Sequence, residues 1–197
     1  MAASAMGAGV IVDFTLNGSP QRCDVPPHWT LLRMLRETAG RTDAKHGCGE
    51  GVCGACAVFV DGIAVNSCSL LAPQVHGARV ETVAGLVGDD ELHPLQAEMV
   101  ARGGVQCGFC TPGMVISAIE AVRIGAASSD EEIRHSLAGN LCRCTGYGKV
   151  VSAVAAYRDG ASPAGDELPA AAAPDDAAER SEVGAPGSEP PGAGVGS

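Results

Sequence analysis

The stretch HGCGEGVCGAC, residues 46–56, places three cysteines and four glycines within eleven positions. Glycine has no Cβ atom, so it allows the backbone to bend sharply or to approach another group very closely. Ordering glycine also costs more conformational entropy than ordering any other residue, so this density around thiols needs a physical reason. The stretch is therefore expected to be a loop that wraps tightly around a bulky group.

The cysteines of this loop have the spacing of plant-type [2Fe–2S] proteins. Cys48, Cys53 and Cys56 follow the pattern C-x4-C-x2-C, and Cys68 comes later with eleven residues in between. An iron–sulfur cluster is anionic, and it is stabilised by four thiolates and by backbone N–H groups that point at its sulfurs. The four interspersed glycines would let those N–H groups turn inward. A [2Fe–2S] cluster with these four cysteines as ligands is therefore predicted.

Composition and charge limit the class of protein. The 197 residues suffice for one ordinary domain or two small ones. Aromatic residues are only 3% of the chain, so covalent or metal cross-links would compensate for a core with few large side chains. The net charge of −10 argues against nucleic acid as a partner, because a phosphate-binding surface needs a basic excess. No stretch approaches the roughly eighteen consecutive apolar residues of a membrane span. The N-terminus lacks the features of a secretory signal, so a cytoplasmic location is expected.

The first part of the chain has the pattern of a hairpin followed by a helix. Residues 10–16, VIVDFTL, alternate as a half-buried strand does. Asn17-Gly18 favours a hairpin turn into a second strand near RCDV. Thr30 can cap a helix over LLRMLRE, whose Leu31, Met34 and Leu35 share one face.

A second hairpin is predicted after the cysteine-glycine loop. Its strands are AVFV and IAVNSC, so Cys56 lies at its entrance and Cys68 at its exit. Residues 78–83, ARVETV, are expected to add a fifth strand. A small mixed sheet with one packed helix and a cluster in the loop after that helix is the β-grasp arrangement.

Helix signals replace strand alternation in the second half of the chain. Pro94 suits a first-turn position, Thr111 followed by Pro112 is expected to cap a helix, and SDEE at 129–132 is a capping box. Helices this short are unstable alone, so a four-helix bundle whose ends are held together is predicted. The whole chain is thus expected to be α+β. The predicted helices cover residues 93–102, 112–124, 130–138 and 147–158.

Four further cysteines lie where two of these helices begin. Cys107 and Cys110 precede the second predicted helix, and Cys142 and Cys144 precede the fourth. Side chains of C-x-C on an extended backbone point in opposite directions, so the chain must turn irregularly to aim both at one site. Helix N-termini also favour an anion, because they carry unpaired N–H groups and partial positive charge. A second [2Fe–2S] cluster is therefore predicted here.

The last segment has a different composition. From residue 160 the chain holds seven acidic residues and one basic residue without a periodic apolar face, which is typical of a disordered tail. The predicted divisions are a plant-type ferredoxin-like domain at 9–84, a helical [2Fe–2S]-binding domain at 85–159 and an acidic tail at 160–197.

Three motifs taken together resemble one family. C-x4-C-G-A-C in the first half, followed by QCGFCTPGM and GNLCRCTGY in the second, is similar to the small iron–sulfur subunit of molybdenum hydroxylases over roughly residues 9–158. That family includes xanthine and aldehyde dehydrogenases, carbon monoxide dehydrogenase and bacterial hydroxylases of N-heterocycles. The resemblance implies a β-grasp domain followed by a helical domain in an electron-transfer subunit of an oxidoreductase. The substrate site would then lie on another subunit, so no catalytic residue is expected in this chain.

The resemblance also implies cofactors and partners. A large subunit would hold a molybdopterin cofactor and a medium subunit FAD, in a heterotrimer that dimerises. The helical cluster would receive electrons first and pass them through the ferredoxin-type cluster to FAD. Gln106 matches a family glutamine that hydrogen-bonds the pterin. GCGEG resembles xanthine-dehydrogenase-type and heterocycle-hydroxylating members, which implies an N-heterocycle, purine or aldehyde substrate, with a carbon monoxide dehydrogenase small subunit as the alternative.

Two interpretations, each from another class of protein, remain open beside this one: a zinc-stabilised binding module and a free-standing ferredoxin. Structural zinc sites also use four thiolates, but the glycine-rich C-x4-C-G-x-C loop and the C-x-C turn do not suit zinc. A free-standing ferredoxin would be a diffusing carrier, and the second, helical cluster disfavours that role. Cys23 lies outside both groups on a predicted strand, where a lone cysteine is expected to be a small core residue.

Overall fold

The computed structural model describes residues 9–88 and 91–160, so nearly all of the predicted acidic tail lies outside the described residues. Within these described residues, the first half contains five strands and one α-helix, and the second half contains four α-helices. Among the described residues, no helix combines the length and the apolar character needed to cross a bilayer. The elements are β1 (Val10–Leu16), β2 (Ser19–Val25), α1 (Leu31–Glu37), β3 (Ala57–Val60), β4 (Ile63–Asn66), β5 (Arg79–Glu81), α2 (Pro94–Ala101), α3 (Thr111–Arg123), α4 (Asp130–Ser136) and α5 (Gly148–Gly160).

The five strands form one mixed sheet in the order β2-β1-β5-β3-β4. β1 and β5 pair in parallel, and all other neighbours pair antiparallel. Asn17 and Asp61 adopt positive φ angles of 48° and 49°, and each is followed by a glycine, as tight hairpin turns require. The predicted hairpins and the small sheet are therefore confirmed.

Helix α1 covers one face of this sheet. Its N-terminus is capped as predicted, because Thr30 Oγ1 accepts a hydrogen bond from the Arg33 N–H at 3.3 Å. Such a cap contributes about 1 kcal/mol to the free energy of unfolding. The apolar side of the helix, with Leu31, Met34 and Leu35, is fully buried in a core that it shares with the sheet.

Strand β3 supplies side chains to two separate cores. Because successive side chains of a strand point to opposite faces, Val58 lies in the core beneath α1 while Ala57 and Phe59 lie in the core of the helical half. Phe59 is fully buried, which stabilises the contact by about 1.5–3 kcal/mol. The Arg123 guanidinium of α3 lies 5.0 Å from the centre of the Phe59 ring. The helical half is thus packed directly onto the second face of the sheet.

The outer edge of the sheet is also covered by the helical half. β4 is an edge strand, and its Ala64 N–H donates to Glu120 Oε1 of α3 at 2.7 Å. Arg123 Nη1 donates to the Gly62 carbonyl at 3.3 Å. An edge strand whose outward backbone groups are paired in this way is protected from pairing with other chains.

The starts of the four helices agree with the predictions except at α3. Ser129 and Glu132 form the predicted capping box, and Pro94 lies in the first turn of α2. Thr111 was the expected cap of α3, but that prediction is wrong, because the N-cap is Cys110 and it makes no side-chain capping bond. Cys110 already has helical backbone angles, φ −80° and ψ −18°, so Thr111 is within the helix.

Candidate metal centres

The first group of thiols lies where the glycine-rich loop meets the second hairpin. Cys48 and Cys53 are neighbours, since the backbone N–H of each donates to the Sγ atom of the other at 3.4 Å. Cys56 and Cys68, at the two ends of the hairpin, are in hydrogen-bond contact with each other. The first pair is exposed or half-buried, and the second is buried. The group therefore has an outer pair and an inner pair of thiols.

Backbone N–H groups surround these sulfurs. Glu50 and Val52 donate to Cys48 Sγ at 3.4 Å, and Gly51 donates to Cys68 Sγ at 3.2 Å. Gly51 has a φ of +74°, and a Cβ atom there would lie 2.5 Å from Ser69 Oγ. The positive φ angle favours glycine at this position, because residues with a side chain rarely adopt it.

The second group lies between the starts of α3 and α5. Cys107 Sγ and Cys144 Sγ are 3.7 Å apart and both residues are exposed. Cys110, buried at the N-cap of α3, is in hydrogen-bond contact with Cys142. This group also consists of an outer and an inner pair, and residues 142–144 belong to no helix or strand.

The arrangement in pairs fits a binuclear cluster. A tetrahedral zinc ion needs four ligands around one point. A [2Fe–2S] cluster has two irons, and two thiolates for each iron are what two pairs provide. The donor set and the surrounding N–H groups therefore fit a [2Fe–2S] cluster in each group better than zinc.

The surroundings of individual thiols shift their pKa values in opposite directions. Hydrogen bonds from the backbone N–H groups of Glu50, Cys53 and Val52 lower the pKa of the Cys48 thiol to about 6. Burial raises the pKa of Cys56 to about 11 and that of Cys110 to about 12. Because only thiolates bind metal, binding at the buried sulfurs must release protons.

The ligand loops of the two groups touch each other. The Leu141 N–H, next to Cys142, donates to the Cys53 carbonyl at 2.9 Å. The Asn140 side-chain amide donates to the Gly54 carbonyl at 3.3 Å, and Asn140 is only 4% exposed. A Cβ atom at Gly54 would lie 2.5 Å from the Asn140 amide nitrogen, so this approach also requires glycine. Sequence analysis did not single out Asn140, since a lone asparagine carries no signal of a contact 86 positions away.

Tyr147 fixes the loop that carries Cys142. Its φ of +65° is unusual for a bulky residue and costs about 1–3 kcal/mol. In this conformation the phenol OH donates to the Asn140 carbonyl at 2.9 Å and accepts from the Cys142 N–H at 2.8 Å. Sequence analysis missed this role, although a tyrosine between two glycines in GYG was a possible signal.

Gln106 and Cys23 are the two remaining residues that the sequence analysis discussed. Gln106 is exposed in the loop before α3, beside Cys107. A cleft of about 420 Å³ borders the same loop, and its lining includes Arg36, Lys45 and His46 from the first half of the chain. Cys23 is buried in the core beneath α1 and belongs to neither group.

Two halves that each present four thiols among backbone donors define a protein with two iron–sulfur sites. Comparison with family models agrees: residues 14–83 match the 2Fe-2S iron-sulfur cluster binding domain, and residues 82–155 match the [2Fe-2S] binding domain. The chain belongs to the family of small iron–sulfur subunits of molybdenum hydroxylases. It is an electron-transfer subunit of an oxidoreductase complex.

The chain is similar to the following relatives over most of their length. The chain is 41% identical to the nicotinate dehydrogenase small FeS subunit of Eubacterium barkeri, over 70% of this chain and 88% of that one. It is also 41% identical to the xanthine dehydrogenase iron-sulfur-binding subunit of Escherichia coli O157:H7, over 70% of this chain and 87% of that one. The crystal structure of quinoline 2-oxidoreductase from Pseudomonas putida 86 superposes with a TM-score of 0.73 at 39% identity, covering 78% of this chain and 98% of that one.

Proposed function

We propose that this chain carries electrons from a molybdopterin cofactor in a large subunit to FAD in a medium subunit through two [2Fe–2S] clusters in series. The clusters supply one-electron chemistry when bound. The helical cluster would be held by Cys107, Cys110, Cys142 and Cys144, and the ferredoxin-type cluster by Cys48, Cys53, Cys56 and Cys68. The observation that carries the proposal is the 2.9 Å hydrogen bond from the Leu141 N–H to the Cys53 carbonyl. This bond joins the residue next to Cys142, a proposed ligand of the helical cluster, to Cys53, a proposed ligand of the ferredoxin-type cluster.

The proposed domains follow the two groups of cysteines. Residues 9–84 are proposed as a β-grasp ferredoxin-like domain, which the sheet order and α1 support. Residues 85–159 are proposed as a four-helix-bundle domain formed by α2 to α5, with an acidic tail at 160–197. The two family models meet at residues 82–83, close to the proposed boundary.

The experiment that tests the function is a count of iron and of redox centres. The purified complex is expected to contain four irons per copy of this chain, because each group of four thiols fits one [2Fe–2S] cluster. Two distinct EPR signals of reduced clusters should appear on reduction with dithionite. A single signal, or zinc in place of iron, would contradict the proposal.

The helical cluster is proposed as the point where electrons enter. Its outer pair, Cys107 and Cys144, is exposed beside Gln106, which is proposed to hydrogen-bond the pterin. The neighbouring cleft brings three basic side chains to this edge of a chain whose net charge is −10. Such a local basic lining suits an anionic cofactor held by a partner.

Gln106→Ala is expected to slow reduction of the clusters by substrate while iron content and both EPR signals stay unchanged. The reason is that the proposed contact is with the pterin and not with iron. Stopped-flow reduction by substrate, compared with direct reduction by dithionite, measures the difference. Gln21→Ala on β2 is the matched control and should change neither rate. A loss of iron in step with activity would show that Gln106 is structural instead.

The partners and the substrate are proposed from the relatives. Those described as acting on nicotinate, nicotine, quinoline or xanthine favour an N-heterocycle or purine, and aldehyde oxidoreductases among them make an aldehyde the next choice. A heterotrimer that dimerises, located in the cytoplasm, is proposed for the complex. A carbon monoxide dehydrogenase small subunit remains the alternative, and identification of the copurifying large subunit would decide between them.

A further inference from the structure

We propose that the Thr145 hydroxyl, oriented by Tyr147, donates a hydrogen bond to the Cys142 sulfur and thereby raises the reduction potential of the helical cluster. This inference rests on the proposed function, because it takes Cys142 as a ligand of that cluster. Thr145 would be a tuning residue, and Tyr147 a positioning residue that acts through it.

The direction of the hydrogen bond follows from the partners of the hydroxyl. Thr145 Oγ1 lies 3.1 Å from Cys142 Sγ, and the Tyr147 N–H donates to the same oxygen at 3.2 Å. A hydroxyl has one hydrogen and two lone pairs. Tyr147 occupies one lone pair, so the hydrogen and the second lone pair remain for the sulfur. A sulfur bound to iron is a thiolate without a proton, so Thr145 must be the donor.

The backbone of Thr145 adds a second donor to the same sulfur. Its N–H points at Cys142 Sγ at 3.5 Å. One residue therefore contributes both a backbone and a side-chain hydrogen bond to one ligand atom. The backbone bond survives substitution by any residue except proline, so a change of side chain tests the hydroxyl alone.

Tyr147 keeps this arrangement in place. Its φ of +65° turns its own N–H toward Thr145 and returns its phenol to the segment that carries Cys142. The phenol OH bonds to the Asn140 carbonyl and to the Cys142 N–H, so the ligand and its hydrogen-bond donor are fixed relative to one tyrosine. A bulky residue in this backbone conformation is retained at functional sites where its surroundings hold it.

The effect on potential follows from charge. When the cluster accepts one electron from an external reductant, it gains one negative charge and no bond is made or broken. Hydrogen bonds to the sulfurs stabilise the more negative, reduced state and so raise the reduction potential. In the ferredoxin-type group a comparable hydroxyl is that of Ser69, whose Oγ lies 3.6 Å from Cys68 Sγ. That longer contact makes Ser69 a matched control for Thr145.

The test is an EPR-monitored redox titration of the purified complex carrying Thr145→Val, which keeps the shape of the side chain and removes the hydroxyl. At a fixed ambient potential, the ratio of reduced to oxidised helical cluster is expected to fall about tenfold, equivalent to about 59 mV for one electron. Iron content should stay unchanged, and the ferredoxin-type cluster in the same sample should keep its potential. Thr145→Ser should restore the reduction potential of the helical cluster. Ser69→Ala should leave that potential unchanged.

Further outcomes separate tuning from structure. Tyr147→Phe keeps the N–H that faces Thr145. It should lower the reduction potential of the helical cluster by less than Thr145→Val does, with full iron content. An unchanged potential in Thr145→Val, or equal shifts of both clusters, would overturn the proposal. If Thr145→Val loses iron, the iron content of Thr145→Ser is the deciding measurement. Loss of iron in Thr145→Ser as well would show that Thr145 is a structural residue and would overturn the proposal. Absence of a second EPR signal from the unmodified complex would instead overturn the proposed function.

Discussion

Cys53→Ser is expected to remove the ferredoxin-type cluster, leave the helical cluster in place and lower the iron content to about two per chain. The other three thiols of that group lie between residues 48 and 68, so the second group keeps all its sulfurs. Substrate should then still reduce the helical cluster while reduction of the flavin stalls. Iron analysis, EPR and the flavin absorbance during turnover measure the three effects.

The matched control for this variant is Cys23→Ala. Cys23 is a buried thiol of the same half of the chain and belongs to neither group, so its loss should leave iron content and electron transfer unchanged. If Cys53→Ser weakens both EPR signals equally, the cysteines are grouped wrongly.

Cys110→Ser is expected to have a larger effect, because it acts at the entry point and within the helical core. Substrate should reduce neither cluster, since the helical cluster is lost and the other then lies beyond it. Cys110 is buried at the start of α3 and contacts Cys142, which precedes α5, so a metal there ties two helices together. Because metal binding is coupled to folding, the helical half should also lose stability.

Three measurements separate the two consequences of Cys110→Ser. Thermal unfolding followed by circular dichroism reports the loss of stability, and substrate reduction reports the loss of electron entry. Dithionite should still reduce the ferredoxin-type cluster directly, wherever that half remains folded. Reduction of this cluster by substrate at the normal rate would contradict the proposed order of electron flow.

Local sequence signals predicted most of the secondary structure. The alternation of residues 10–16, the cap at Thr30 and the capping box at Ser129 each depend on neighbours within a few positions, and each is confirmed. The spacing of the cysteines likewise predicted two groups of four. In the structure these thiols lie in four pairs, Cys48 with Cys53, Cys56 with Cys68, Cys107 with Cys144 and Cys110 with Cys142, and their assignment as ligands stays a prediction.

Contacts between distant positions could not be predicted in this way. Nothing in the strand AVFV distinguishes the face of Phe59, which lies against α3, from the face of Val58, which lies beneath α1. Asn140 acquires its role only because Gly54 lies against it. At Thr111, a local rule chose the wrong residue, because the ligand turn at Cys110 had already entered the helical conformation.

The two faces of β3 limit how modular this subunit can be. The two family models suggest separate units that could be moved between proteins by a single cut near residue 83. Such a cut would leave Phe59 facing water and would remove Glu120 from the backbone of the edge strand. A graft of either half into another protein must therefore carry a substitute for the missing surface. Inheritance of the two halves together is the outcome that this shared strand favours.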